Sequence, residues 1–267
     1  SPLSQEICSG DFVDLQLVAN ANVTFNWFAQ SSLDVNGESL TVQNSNIIDD
    51  QLINTTTSPQ TVTYTVVATT TAYGCSSPST QIDVLVNPSP VTDSFSEEIC
   101  SGETLALVLS ASSPSAFTWF ATDNINVFGE TQSVQNSSVI TDQLINNTNN
   151  AETVTYNIQA TSNKGCAGSI VTGDVVVNLI PEVDFSITNA VLCDLSPVGF
   201  VNNSSSLLDF DWDFGDGNTS NDFEPTHTYG VIGSYQVILN GIDPITLCEG
   251  SSSEIILIQE SPAIDFA

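Results

Sequence analysis

This sequence of 267 residues predicts an all-β chain, a tandem array of β-sandwich modules, on three observations. The first is a long internal repeat. Cys8-Ser9-Gly10, Trp27-Phe28-Ala29, Gly37-Glu38, Val42-Gln43-Asn44, Asp50-Gln51-Leu52-Ile53-Asn54 and Thr63-Tyr64 all occur a second time. They return as Cys100-Ser101-Gly102, Trp119-Phe120-Ala121, Gly129-Glu130, Val134-Gln135-Asn136, Asp142-Gln143-Leu144-Ile145-Asn146 and Thr155-Tyr156. A period of about 90 residues exceeds a solenoid unit and suits a self-contained domain. The second observation is alternation: Thr61-Val62-Thr63-Tyr64-Thr65-Val66 has the period of a half-buried strand, and no long window keeps a helical apolar period. Third, Asn, Ser, Asp and Gly cluster between the apolar runs, where turns need them.

The elements follow in order. In the first module, strands are predicted at 12–17, 23–28, 39–42, 61–68 and 81–86, with the same pattern in the second, ending in 173–177. Trp27 and Trp119 read as core residues. The joints are Val86-Asn87-Pro88-Ser89-Pro90-Val91 and Val177-Asn178-Leu179-Ile180-Pro181-Glu182-Val183. Short links with proline, which fixes φ and removes a donor, predict a semi-rigid rod. The modules are then 1–88, 89–180 and 181–260. Pro262-Ala263-Ile264-Asp265-Phe266 repeats the pattern of Pro181-Glu182-Val183-Asp184-Phe185, so 261–267 reads as the start of a further module in a longer protein.

Composition excludes several classes. There are 31 acidic residues against one basic residue, Lys164, and the formal net charge is −30. No cationic groove exists to displace counterions from a nucleic acid, and an anionic lipid surface would repel the chain. No apolar run is long enough for membrane insertion by a helix. At 40% hydrophobic, the chain is nonetheless not of the disordered type. Self-repulsion costs stability in dilute buffer, and salt or divalent cations relieve it. With so few cations, the carboxylates are expected to face water or coordinate metal.

The six cysteines fall two to a module. The simplest connectivity pairs them within modules, Cys8 with Cys75, Cys100 with Cys166 and Cys193 with Cys248, so that each module folds alone. Each such loop closure is worth roughly 2–4 kcal/mol in the entropy account. Disulfides imply export to an extracellular or envelope compartment.

The third module carries Phe210-Asp211-Trp212-Asp213-Phe214-Gly215-Asp216-Gly217, then His227-Thr228-Tyr229 and Gly233-Ser234-Tyr235-Gln236-Val237. This set resembles the PKD domain family (polycystic kidney disease repeats) over residues 181–260. The resemblance implies an immunoglobulin-like sandwich in which Asp213, Gly215, Asp216 and Gly217 build a turn, with His227 and Tyr229 packed around it. The first two repeats lack that motif. They resemble the PKD-like and immunoglobulin-like modules of large Bacteroidetes surface proteins, which are exported by type IX secretion and in some cases serve gliding or attachment. That likeness implies a bacterial cell-surface location.

Catalysis is not expected. The only imidazole, His227, lies beside a predicted strand and reads as structural, and the carboxylate pair Asp211 and Asp213 lies on one strand face with no cleft in view. Calcium is the cofactor considered, because it takes six to eight oxygen ligands. Asp209, Asp211, Asp213 and Asp216 are clustered in sequence, and the family's habit of binding calcium near module ends points to Asp184 and Asp243. Asp34, Asn36 and Glu38 cluster in the first repeat, but the second keeps only Asn124, Asn126 and Glu130. Sequons at Asn22, Asn54, Asn136, Asn146, Asn202 and Asn218 read as compositional, and Phe12 and Phe128 as candidates for a sticky patch. The functional expectation is a non-catalytic stalk segment of an adhesin, its partners being the neighbouring repeats. The alternatives are a module that binds a surface glycan or protein, and an accessory region of a secreted hydrolase.

Overall fold

The computed structural model describes residues 3–188, 192–205 and 207–261. Three β-sandwiches follow one another, each with its own core, and no helix occurs among the described residues. In the first module the main sheet runs Leu3–Cys8, Thr80–Asn87, Gln60–Thr70, Val23–Ala29. Alternation in Gln60–Thr70 sends Val62, Tyr64 and Val66 inward, where Trp27 meets Tyr64 edge-on at 5.7 Å. The second face is made of short pairs, Leu15–Gln16 with Ile47–Ile48 and Val35–Asn36 with Ile53–Asn54. The second module repeats this plan around Trp119 and Tyr156. In the third, Asp209–Asp213, Gly233–Ile242 and Glu249–Ile258 face a three-stranded sheet of Phe185–Ile187, Pro197–Asn202 and Thr226–Thr228.

Two local expectations change. Residues 39–42 form no strand, because the Ser39 amide donates to the Asp50 carboxylate, not to a neighbouring strand. Leu3–Cys8, too polar to show alternation, is a strand because it pairs in parallel with the last strand, from Leu3 opposite Ile82 to Cys8 opposite Asn87. Ser96–Cys100 lies in the same way along Val171–Asn178. The predicted start of a further module lies, beyond Ser261, outside the described residues.

The parallel pairing overturns the expected disulfides. It carries Cys8 to the far end of the last strand, whereas Cys75 sits in the turn before that strand begins. Eight residues of strand separate them, about 26 Å at the usual rise, several times the Cα reach of a disulfide. The bonds instead cross between modules. Cys8 joins Cys166 with Cα atoms 5.3 Å apart, and Cys100 joins Cys248 at 5.6 Å. Cys75 and Cys193 carry free thiols.

The joints are closed by backbone as well. A Cβ on Gly168 would overlap the carbonyl oxygen of Pro90, and one on Gly250 that of Pro181, so each link presses on the hairpin of the module it enters. Ser77 holds the corresponding place in the first module, its amide donating to Ala68 O as that of Gly168 does to Ala160 O. Every second cysteine follows a left-handed residue: Gly74 (φ 68°), Gly165 (85°) and, in the third module, Leu247 (60°). Leucine is strained there by its Cβ. Leu247→Gly is therefore expected to stabilise the third module by about 1 kcal/mol, and Gly250→Ala to cost roughly 1–3 kcal/mol. Hydrogen exchange in Gly233–Ile242 and Glu249–Ile258 reads both changes.

Candidate functional site at the module joints

The chain's one basic side chain lies at a joint. Lys164, two residues before Cys166, places its ammonium 2.8 Å from Glu6 on the first strand of the preceding module. That ion pair, together with the Asn87 Nδ2 that donates to the same Glu6 oxygen at 2.9 Å, holds the Glu6 carboxyl below the usual range. Disulfide, link carbonyl and ion pair thus converge where the first module meets the second. At the next joint a cleft of roughly 770 Å³ opens between the second and third modules, lined by Asn146, Thr148, Glu182, Asp184, Asn203 and Asp243 among others.

Asp184 and Asp243 both line that cleft. Both are partly committed. Asp184 Oδ2 accepts from Asn203 Nδ2 at 3.1 Å. Asp243 Oδ1 accepts from the Ile245 and Thr246 amides at 2.8 and 3.1 Å, which lowers its pKa. Asp209, Asp211 and Asp213 stand elsewhere, on the outer face of one strand that turns Phe210 and Trp212 inward. Among the described residues no three acidic, His or Cys side chains stand close enough to share one metal ion.

The turn motif of the third module is structural throughout. Asp213 Oδ1 accepts from the Gly215 amide at 2.9 Å, and Gly215 (φ 78°) lies too close to Gln236 O to carry a Cβ. Asp216 Oδ1 accepts from the Asn218 amide, and its Oδ2 lies 2.8 Å from His227 Nε2. The imidazole stacks on Phe214 at 4.3 Å and meets Tyr229 edge-on at 4.6 Å. Tyr229 donates to Phe214 O at 3.0 Å, and burial pushes its phenol up. The only histidine is therefore walled in by two rings and one carboxylate.

Sequence reasoning missed a second device. Asp50 and Asp142 are buried, against the expectation that carboxylates lacking a Lys or Arg partner face water. Each is held by hydroxyl and amide donors. Tyr64 donates to Asp50 Oδ2 at 2.8 Å, and Ser39 donates through its amide and hydroxyl, both at 2.7 Å. Tyr156 and Thr131 do the same for Asp142. Burial foremost, then the hydrogen bond to the carboxylate, pushes both tyrosines up. The signal was available in the repeated Asp-Gln-Leu-Ile-Asn. Its Asp takes this pair, its Gln donates to Gly10 O or Gly102 O, its Leu is core, and its Asn donates to Val86 O or Val177 O. That last bond also buries the sequon nitrogens of Asn54 and Asn146 against glycan attachment. Phe12 and Phe128 are exposed.

Two changes test these readings. Tyr156→Phe removes a hydrogen bond to a charged group and is expected to cost about 1.5–3 kcal/mol of second-module stability, read by hydrogen exchange in Glu152–Ser162. For Asp216, burial raises the carboxyl pKa, but the His227 and Asn218 contacts outweigh it and hold it below its ordinary 3.8. A depressed pKa contributes stability above the unfolded value, and that stability is lost as pH falls through the folded one. The difference in melting temperature between the native chain and Asp216→Asn should therefore shrink as pH falls below about 4.

Comparison with known proteins follows the same division. A family model described as a PKD-like domain matches residues 5–90 and 97–182, and one described as a PKD domain matches 178–251. No curated protein matches the chain. Among solved structures, the PKD1 domain of the Vibrio cholerae metalloprotease PrtV is 28% identical, covering 30% of this chain and 98% of its own, with a TM-score of 0.27. An I-band fragment of titin is 12% identical over 98% of this chain and 96% of that one, with a TM-score of 0.39. A fragment of human CDH23 is 10% identical over 97% and 98%, with a TM-score of 0.33.

Proposed function

The chain belongs to the PKD-like domain family, and from that premise we propose that it is a non-catalytic stalk segment of a secreted or cell-surface adhesin. Its work is to hold neighbouring modules at a fixed spacing and so present a binding region carried elsewhere in the protein. Tandem PKD-like and immunoglobulin-like domains joined by disulfides point to an extracellular or secreted protein. One observation carries the stalk reading: each pair of neighbours is tied twice, once through the link and once through a disulfide between modules. A binding module needs only its own fold and gains nothing from such a brace. A spacer needs the joint held.

Anchorage by way of type IX export, with a part in gliding or attachment, belongs to the same proposal and rests on the module style of the first two repeats. Calcium enters it at the joint cleft, on the ground that Asp184 and Asp243 are both among its lining residues. The test is small-angle scattering and thermal melting of the intact chain, oxidised and then reduced, each with and without millimolar calcium. The stalk reading expects a narrow distribution of shapes when oxidised that broadens on reduction while the modules stay folded. Identical profiles in both redox states would remove the brace and with it the reading. A calcium-dependent rise in melting supports the cation at the cleft, and an unchanged melt removes calcium while leaving the disulfide brace.

A further inference from the structure

The two bonded pairs obey one rule. The cysteine closing the first strand of a module bonds the cysteine in the last hairpin of the module that follows. Cys75 and Cys193 are the two positions that this rule leaves open, and the backbone has built both in the bonded form.

Cys193 reproduces Cys8 and Cys100. Each lies in parallel register against the end of its module's last strand, opposite Gln259, Asn87 and Asn178 respectively. In each case the next amide donates to that partner's carbonyl, at 2.9, 2.8 and 2.8 Å, and the cysteine's own carbonyl accepts from the amide three residues on. The residue two positions later is left-handed every time: Leu195 at 59°, Gly10 at 92° and Gly102 at 87°. A leucine kept in a conformation that glycine takes freely shows how firmly this turn is specified.

Cys75 reproduces Cys166 and Cys248 just as closely. Each follows a left-handed residue, and each carbonyl closes the hairpin by accepting from the amide of Thr70, Ser162 or Asp243, at 3.0, 2.9 and 3.0 Å. Cys75 is exposed and Cys193 partly so.

We propose that Cys75 and Cys193 are complementary covalent docking points, each formed to bond the opposite cysteine of another module of this class. The ligand of Cys193 is then a last-hairpin cysteine behind a left-handed residue, and that of Cys75 a first-strand cysteine. A copy of this chain carries both, so copies can couple head to tail, Cys193 of one to Cys75 of the next. The joint is heterologous, and because it does not close on itself it leads to chains. With a small-molecule disulfide such as oxidised glutathione as oxidant, the Cys193 thiolate displaces one glutathione thiol and forms a mixed disulfide. The partner's Cys75 thiolate displaces the other. One S–S bond breaks and one forms, and the two electrons and two protons given up by the protein thiols leave as two molecules of reduced glutathione. This extends the stalk reading without depending on it: a chain that failed to couple would still carry its two internal braces.

The test uses the full chain in two variants, Cys75→Ser, which keeps only Cys193 free, and Cys193→Ser, which keeps only Cys75. Each is incubated in a glutathione redox buffer alone and then as an equal mixture, and the products are read by non-reducing electrophoresis and peptide mapping. Cleavage at acidic residues serves the mapping, since trypsin has one lysine to cut at. The expected result is a shift to dimer mass in the mixture alone, with a Cys193–Cys75 linked peptide and the Cys8–Cys166 and Cys100–Cys248 peptides retained. The native chain should then give a ladder of higher multiples. Glutathione adducts with no dimer, or like-with-like dimers as abundant as the mixed one, would overturn the proposal.

Discussion

The parallel seat of the first strand on the last one governs the rest of this structure. Were Leu3–Cys8 to end beside the start of Thr80–Asn87, Cys8 would lie near Cys75 and each module would staple itself. Because it runs the other way, Cys8 arrives where the next module begins, and the sulfur that could have closed a domain closes a joint. Glu6, on the same strand, reaches Lys164 for the same reason. A chain with a single basic residue has placed it at one of the two joints where strand direction brings modules together.

Within the first two modules, buried carboxylates are held by hydroxyl and amide donors. Asp50 and Asp142 are buried against tyrosine and serine or threonine donors, whose partial charges are fixed in place by the sheet. Such donors satisfy a carboxylate without the desolvation that a second ion would bring. The third module replaces that device with stacked rings, setting His227 between Phe214, Tyr229 and Asp216. Two different polar cores therefore serve the same sandwich plan.

Much of the fold was legible in the residues. The Thr-Val-Thr-Tyr alternation marks Gln60–Thr70, and the repeat marks two equivalent modules. While the roles of Asp213 and Asp216 came only from the resemblance of the motif, the tight turn of the third module was visible in Gly215 and Gly217, whose positive φ is a local feature. The connectivity of the cysteines was not. Two cysteines per module is compatible with closure inside or between modules, and the choice rests on strand direction, a long-range property that polar Ser4, Gln5 and Glu6 do not display. The cleft that Asp184 and Asp243 both line likewise depends on how the link lies against Gly250, which no pattern along the chain records.

Strand direction also settles where a pull would travel. Tension applied at Leu3 reaches Cys8 within six residues and passes at once through sulfur to Cys166 in the next module. The stretch from Cys8 to Cys100 is thereby bridged by a shorter path through Cys166, so most of the first module can melt without lengthening the chain. The bond from Cys100 to Cys248 overlaps the first, so beyond Cys166 the load divides between the stretch back to Cys100 and the stretch on to Cys248. The greatest extension between Cys8 and Cys248 is consequently capped by covalent connectivity, well short of the full chain between them, for as long as the sulfurs stay oxidised.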